Sequence, residues 1–107
     1  MAKNVTIAFN QGTIDSESAL VRVYRSPDDT AWTEIGTSVV NTGNAADYVD
    51  LGPSDNGLAD GTWYYRAAQE DSVPNLSAFG PSVSVTIDTT APGAPSIATL
   101  TVGDFTP

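Results

Sequence analysis

The sequence contains no cysteine and no histidine. The first absence excludes disulfides and thiolate chemistry, and it leaves the redox compartment open. The second removes the commonest general base and the commonest metal ligand. Together they rule out Ser-His-Asp and Cys-His nucleophiles. Basic residues are scarce: Lys3, Arg22, Arg25 and Arg66 stand against thirteen acids, for a net charge of −9. So few cations cannot neutralise a phosphate backbone or hold to an anionic lipid surface, which excludes nucleic acid and membrane as partners. The acidity serves solubility first, with calcium as the other use. No apolar run approaches the roughly 18 residues of a membrane span. None follows Met1-Ala2-Lys3 either, so no signal peptide is expected.

What the sequence does hold is strand material. Its 107 residues suit one domain with a modest core. Val, Ile, Tyr and Trp occur with abundant Thr and Ser, a mix that fits pleated, half-buried strands. The apolar period is two. Val5, Ile7 and Phe9 alternate with Thr6 and Ala8. Over Ala19 to Arg25, Val21 and Val23 share one face, and Leu20, Arg22 and Tyr24 the other. Pro27-Asp28-Asp29 is a turn, because Pro presets φ and Asp bonds its own backbone. A short strand over Trp32 to Gly36 is expected, then an irregular stretch from Val39 to Gly43. Tyr48 to Leu51 is another short strand, and Pro53 to Gly57 a loop. Thr62 to Glu70 is the strongest strand. Trp63, Tyr65 and Ala67 should face inward and Tyr64, Arg66 and Ala68 outward, since the other phase buries Arg66. Val73 to Leu76 turns the chain, and Ser82 to Asp88 sets Val83, Val85 and Ile87 on one face. The expected fold is all-β: a two-sheet antiparallel sandwich of about seven strands over residues 1–88. Residues 89–107 form a proline-containing linker and arm, in which Ser96 to Val102 reads as one more strand.

Several runs carry a family likeness. Val21-Arg22-Val23-Tyr24-Arg25-Ser26, an Asp-rich turn, and then Trp32 and Ile35 resemble the middle strands of bacterial fibronectin type III repeats. Leu58-Ala59-Asp60-Gly61-Thr62-Trp63-Tyr64-Tyr65-Arg66 resembles their loop and sixth strand. Asp71, Asn75, Ser77 and Pro81 fall where such repeats carry those residues. Val85 to Pro92 resembles the end of one repeat and its linker to the next. The likeness spans nearly the whole chain and implies an immunoglobulin-like fold, but it says little of function. It also has one departure. Val5 to Phe9 resembles the family's second strand, with Phe9 at a Trp position, and too few residues precede it for a first. A first-strand pattern stands instead at Ala94 to Val102. Three accounts fit. The tail is donated to a neighbouring subunit, it folds back on its own domain, or it begins the next repeat of an array. Fold-back is strained, because the linker from Thr89 to Ala94 reaches about 20 Å at ~3.3 Å per residue.

No catalytic constellation is visible, and a non-enzymatic protein without a cofactor is expected. Asp28-Asp29 and Glu70-Asp71 are sequence neighbours, which on a strand point to opposite faces. Calcium is the one credible ion. Asp71, Asn75 and Asp88 offer oxygens on loops near one pole, and the family likeness implies calcium-stiffened joints between repeats. Capping of turns is their plainer role. Trp63 and Tyr65 read as core, and Tyr24 and Tyr64 as the outer face of a sheet. Trp32 packs at a rim or stacks on a sugar or partner. The partner-binding candidates are Pro92, Pro95, Ile97, Leu100, Val102 and Phe105 of the arm, with Trp32. Foremost, this predicts a structural protein of a large assembly. A phage virion component such as a capsid decoration, neck or tail protein fits, made in the host cytoplasm and oligomeric. Its partners would be identical subunits or a major capsid or tail protein. The alternatives are a calcium-stiffened extender repeat of a secreted adhesin at the cell surface, and a carbohydrate-binding accessory module resting on Trp32.

Overall fold

In the computed structural model, which describes residues 3–105, the chain is all-β. Seven strands follow one another: β1 (Val5–Ile7), β2 (Ser18–Ser26), β3 (Thr33–Asn41), β4 (Asn44–Ala45), β5 (Tyr48–Asp50), β6 (Gly61–Asp71) and β7 (Val83–Ile87). They form two antiparallel sheets. One has the order β4-β3-β2-β6-β7 and the other is the pair β1-β5.

β2 is central because it can pair on both sides, with β3 and with β6. Its alternation decides which face is which. Val21 and Val23 are 2% and 1% exposed, whereas Arg22 on the other face reaches Glu34 and Glu70. The stretch from Val39 to Gly43 is not irregular. β3 continues through Val39, opposite Leu20, to Asn41, and then reverses into β4, with Asn41 opposite Asn44. Thr42 and Gly43 both take positive φ, 54° and 77°. That is a two-residue turn whose twist matches the flanking strands. The adjacent Val39-Val40 pair breaks period two and hides the strand.

β6 runs in the phase set by Arg66. Tyr65 is buried, while Trp63 and Ala67 are half-buried. Ala68 corrects the reading of its face: its register partner is Arg22, yet it is buried. A single methyl sits low on that face, with Arg22 opposite it and Arg66 and Glu70 two residues to either side. Leu58, fully buried, is held by an antiparallel bridge to Lys3.

These contacts orient β1. It starts at the Gly61 end of β6, where Lys3 meets Leu58. It ends near the other pole, where the Gln69 side chain bonds the carbonyl of Thr13 and the amide of Asp15. β1 therefore runs parallel in space to β6 and opposite to β7. Asp88 leaves the domain at the pole where β1 begins, since Ile87 pairs with Gly61.

Beyond β7 there is no further strand among the described residues. Ser96 to Val102 has strand composition but no ladder, and every residue from Ala91 to Phe105 is exposed. An unpaired extended segment has no hydrogen bonds to hold it as a strand. The arm stretches the molecule to 81 × 33 × 23 Å.

Candidate functional site

The residues that should close the core between the two sheets do not do so. Val5, Ile7, Phe9 and Val85 are only half-buried, and Val83 is 68% exposed. Between them lies a groove of 840 Å³, floored by Val21, Val23 and Tyr65. Consecutive residues from Val5 to Phe9 and from Val83 to Val85 line it, so it meets backbone as well as side chains. Among the described residues β1 pairs only with β5, and β7 only with β6, so each presents one unpaired edge. Arg66 is the sole charged residue in the lining.

A buried polar cluster ties β2, β5 and β6 together. Both carboxylate oxygens of Asp50 accept from Arg25 Nη1, at 2.7 and 2.9 Å. The Tyr65 hydroxyl donates to Oδ2 at 2.6 Å and the Gly52 amide to Oδ1 at 2.9 Å. Burial on its own would raise the Asp50 carboxyl. The Tyr65 hydroxyl, Arg25 and the Gly52 amide outweigh it and hold Asp50 below the usual carboxylate range. Burial first, and then the bond to Asp50, push the Tyr65 hydroxyl far upward. Tyr65 was expected in the core. Asp50 has no local signal in the sequence, because its partner Arg25 lies 25 residues away along the chain.

On the outer face of the larger sheet, Arg66 lies against two rings, 4.4 Å from the centre of Trp32 and 3.8 Å from that of Phe79. Tyr24 meets Phe79 edge-on at 5.0 Å. Trp32 is thus half-buried on an arginine of its own chain. Phe79 carries no signal in the sequence, because it lies in a loop with no periodicity; the Gly80 amide pins that loop to the Ala67 carbonyl. Arg22 pairs with Glu34 and Glu70, and Arg25 with Asp50, whereas Arg66 meets only rings and its buried Nε has no hydrogen-bond partner among the described residues.

The three calcium candidates do not converge. Asp71 accepts from the amides of Val73 and Asn75 and from the Asn75 side chain, which closes a turn. Those bonds lower the Asp71 carboxyl, that of the Asn75 side chain most. Asp88 stands at the far end of β6 and caps Thr90. The length of β6, about 33 Å at ~3.3 Å per residue, separates them. Next to Asp88, Thr89 and Thr90 bond to Asp60, which tethers the root of the arm. The arm candidates Pro92, Pro95, Ile97, Leu100, Val102 and Phe105 all lie exposed, with Leu100 at 84% and Val102 at 96%. The chain matches no family model, no curated protein and no solved structure.

Proposed function

We propose that the chain is a non-enzymatic structural protein of a large assembly, foremost a phage virion component such as a capsid decoration, neck or tail protein, docking through its C-terminal arm. The observation that carries this reading is the arm. Four large apolar side chains, Ile97, Leu100, Val102 and Phe105, are each at least 77% exposed. Apolar surface held out in this way marks an interaction segment.

The strand order supports the finer reading as an immunoglobulin-like sandwich of the fibronectin type III kind. In that fold, strands C, F and G are neighbours in one sheet, and B lies beside E in the other. Here β2, β6 and β7 are neighbours, and β1 lies beside β5. Strand A of the pattern, which would lie along the free edge of β1, has no counterpart among the described residues.

The test is to separate a lysate of the producing cells on a density gradient and follow the chain by mass spectrometry. The full chain should travel with large particles, and a full-length Leu100→Glu/Val102→Glu variant should stay in the soluble fraction. Recovery at the cell surface alone, with a melting temperature raised by calcium and lowered by chelator, would replace this reading with the adhesin repeat.

A further inference from the structure

We propose that the groove between β1 and β7 receives the segment Ser96–Val102 of a second copy of this chain, as a strand antiparallel to β1. This rests on the assembly reading above and names the arm's receptor.

The groove asks for a strand. It is bordered by two unpaired edges, and its floor is the buried pair Val21 and Val23. An incoming extended segment gains main-chain hydrogen bonds at the edge of β1 and buries alternate side chains beneath it. The arm has the matching pattern, for Ala98, Leu100 and Val102 share one face of an extended chain, with Thr99 and Thr101 on the other.

Charge points the same way. In a chain of net charge −9, the stretch from Thr89 to Gly103 carries no charged residue. The groove lining holds only Arg66, whose guanidinium lies against Trp32 and Phe79. Burial of the arm there strands no carboxylate.

Geometry then selects a second copy over the chain's own arm. A strand antiparallel to β1 enters the groove at the Asp71 pole and leaves at the Gly61 pole. The chain's own arm departs at the Gly61 pole, where Ile87 pairs with Gly61. To enter correctly it would first have to travel back along the domain, about 33 Å at ~3.3 Å per strand residue. The linker from Thr89 to Ala94 reaches only about 20 Å, and its root is tied to Asp60. The arm of a neighbour stacked at the Asp71 pole arrives in the required direction with its linker extended.

The experiment is sedimentation of the full-length chain from micromolar to millimolar concentration. A concentration-dependent series of dimers and longer oligomers is expected. The full-length Leu100→Glu/Val102→Glu variant should remain a monomer throughout with an unchanged melting temperature, since both side chains are exposed. The absence of native cysteine permits a direct second readout. A full-length Leu100→Cys chain mixed with a full-length Val83→Cys chain should give the mixed disulfide on oxidation. A wild-type chain that is monomeric at every concentration would overturn the inference, and so would oligomers that survive the double-glutamate change. If a chain carrying both Leu100→Cys and Val83→Cys closes only on itself, its own arm fills the groove and the inference is likewise overturned. These failures are separable from that of the assembly reading. A monomer that still travels with particles through its arm has a different protein as receptor.

Discussion

At the scale of the residue, Asp50 is the most consequential side chain. It is 3% exposed and satisfied by three different donors. Removal of one member of a buried ion pair leaves the other charge stranded, which costs about 3–5 kcal/mol. Asp50→Ala should therefore lower stability by about that amount in urea denaturation. The pH dependence follows from the direction of its shift. The folded carboxyl lies below its unfolded value of about 3.9, so its contribution is complete above that pH. It is lost as pH falls through the lower, folded value. Thermal melts should be flat from neutrality to mild acid and then drop, and Asp50→Asn should show a shallower drop from a lower plateau. Gly36 makes a second point. A Cβ there would collide with the Tyr48 ring, whose hydroxyl donates to the Ile35 carbonyl at 2.8 Å. Gly36→Ala should cost about 1–3 kcal/mol through overpacking, read as a loss of melting temperature.

At the scale of the element, period two identified β1, β2, β6 and β7, because apolar side chains alternate along each, although β1 and β7 leave theirs half-open. It also placed Val21, Val23 and Tyr65 in the core; Arg66 lies on the outer face as expected but is half-buried there, with its Nε enclosed and unpartnered among the described residues. What it did not reveal depends on partners distant in the chain. The Arg25–Asp50–Tyr65 cluster and the seat of Phe79 on Arg66 are products of register, which no local window contains. The β3–β4 hairpin was hidden for a different reason: its turn residues are Thr42-Gly43, not the Asn-Gly that would announce it. The separation of Asp71 from Asp88 likewise follows from the direction of β6, not from composition. The hairpin carries its own prediction. A β-branched residue at positive φ is strained by roughly 1 kcal/mol or more. Thr42→Asn, which tolerates that backbone and restores the preferred turn pair, should raise stability by about 1 kcal/mol in the same urea assay.

At the scale of the whole molecule, the domain is unfinished on one side while its arm is extended on another. Copies of a −9 chain repel one another. The proposed contact between arm and groove would gain nothing from opposite charge, because Thr89 to Gly103 is uncharged. Salt should therefore tighten self-association by screening the repulsion, the reverse of an ion-paired interface. Sedimentation at low and high ionic strength checks the sign.

The arm leaves at the Gly61 pole, and in the proposed pairing the groove is entered from the other, which gives any string of copies a direction. Every such join uses one arm and one groove, so an open string keeps one spare of each, at opposite ends, and it closes only as a ring where the rotation between copies allows. Growth of an open string has no internal stopping point. Its length must be set by whatever occupies the last groove or holds the last arm. A copy with a disabled arm would end strings at one end only, shortening them in proportion to the fraction added.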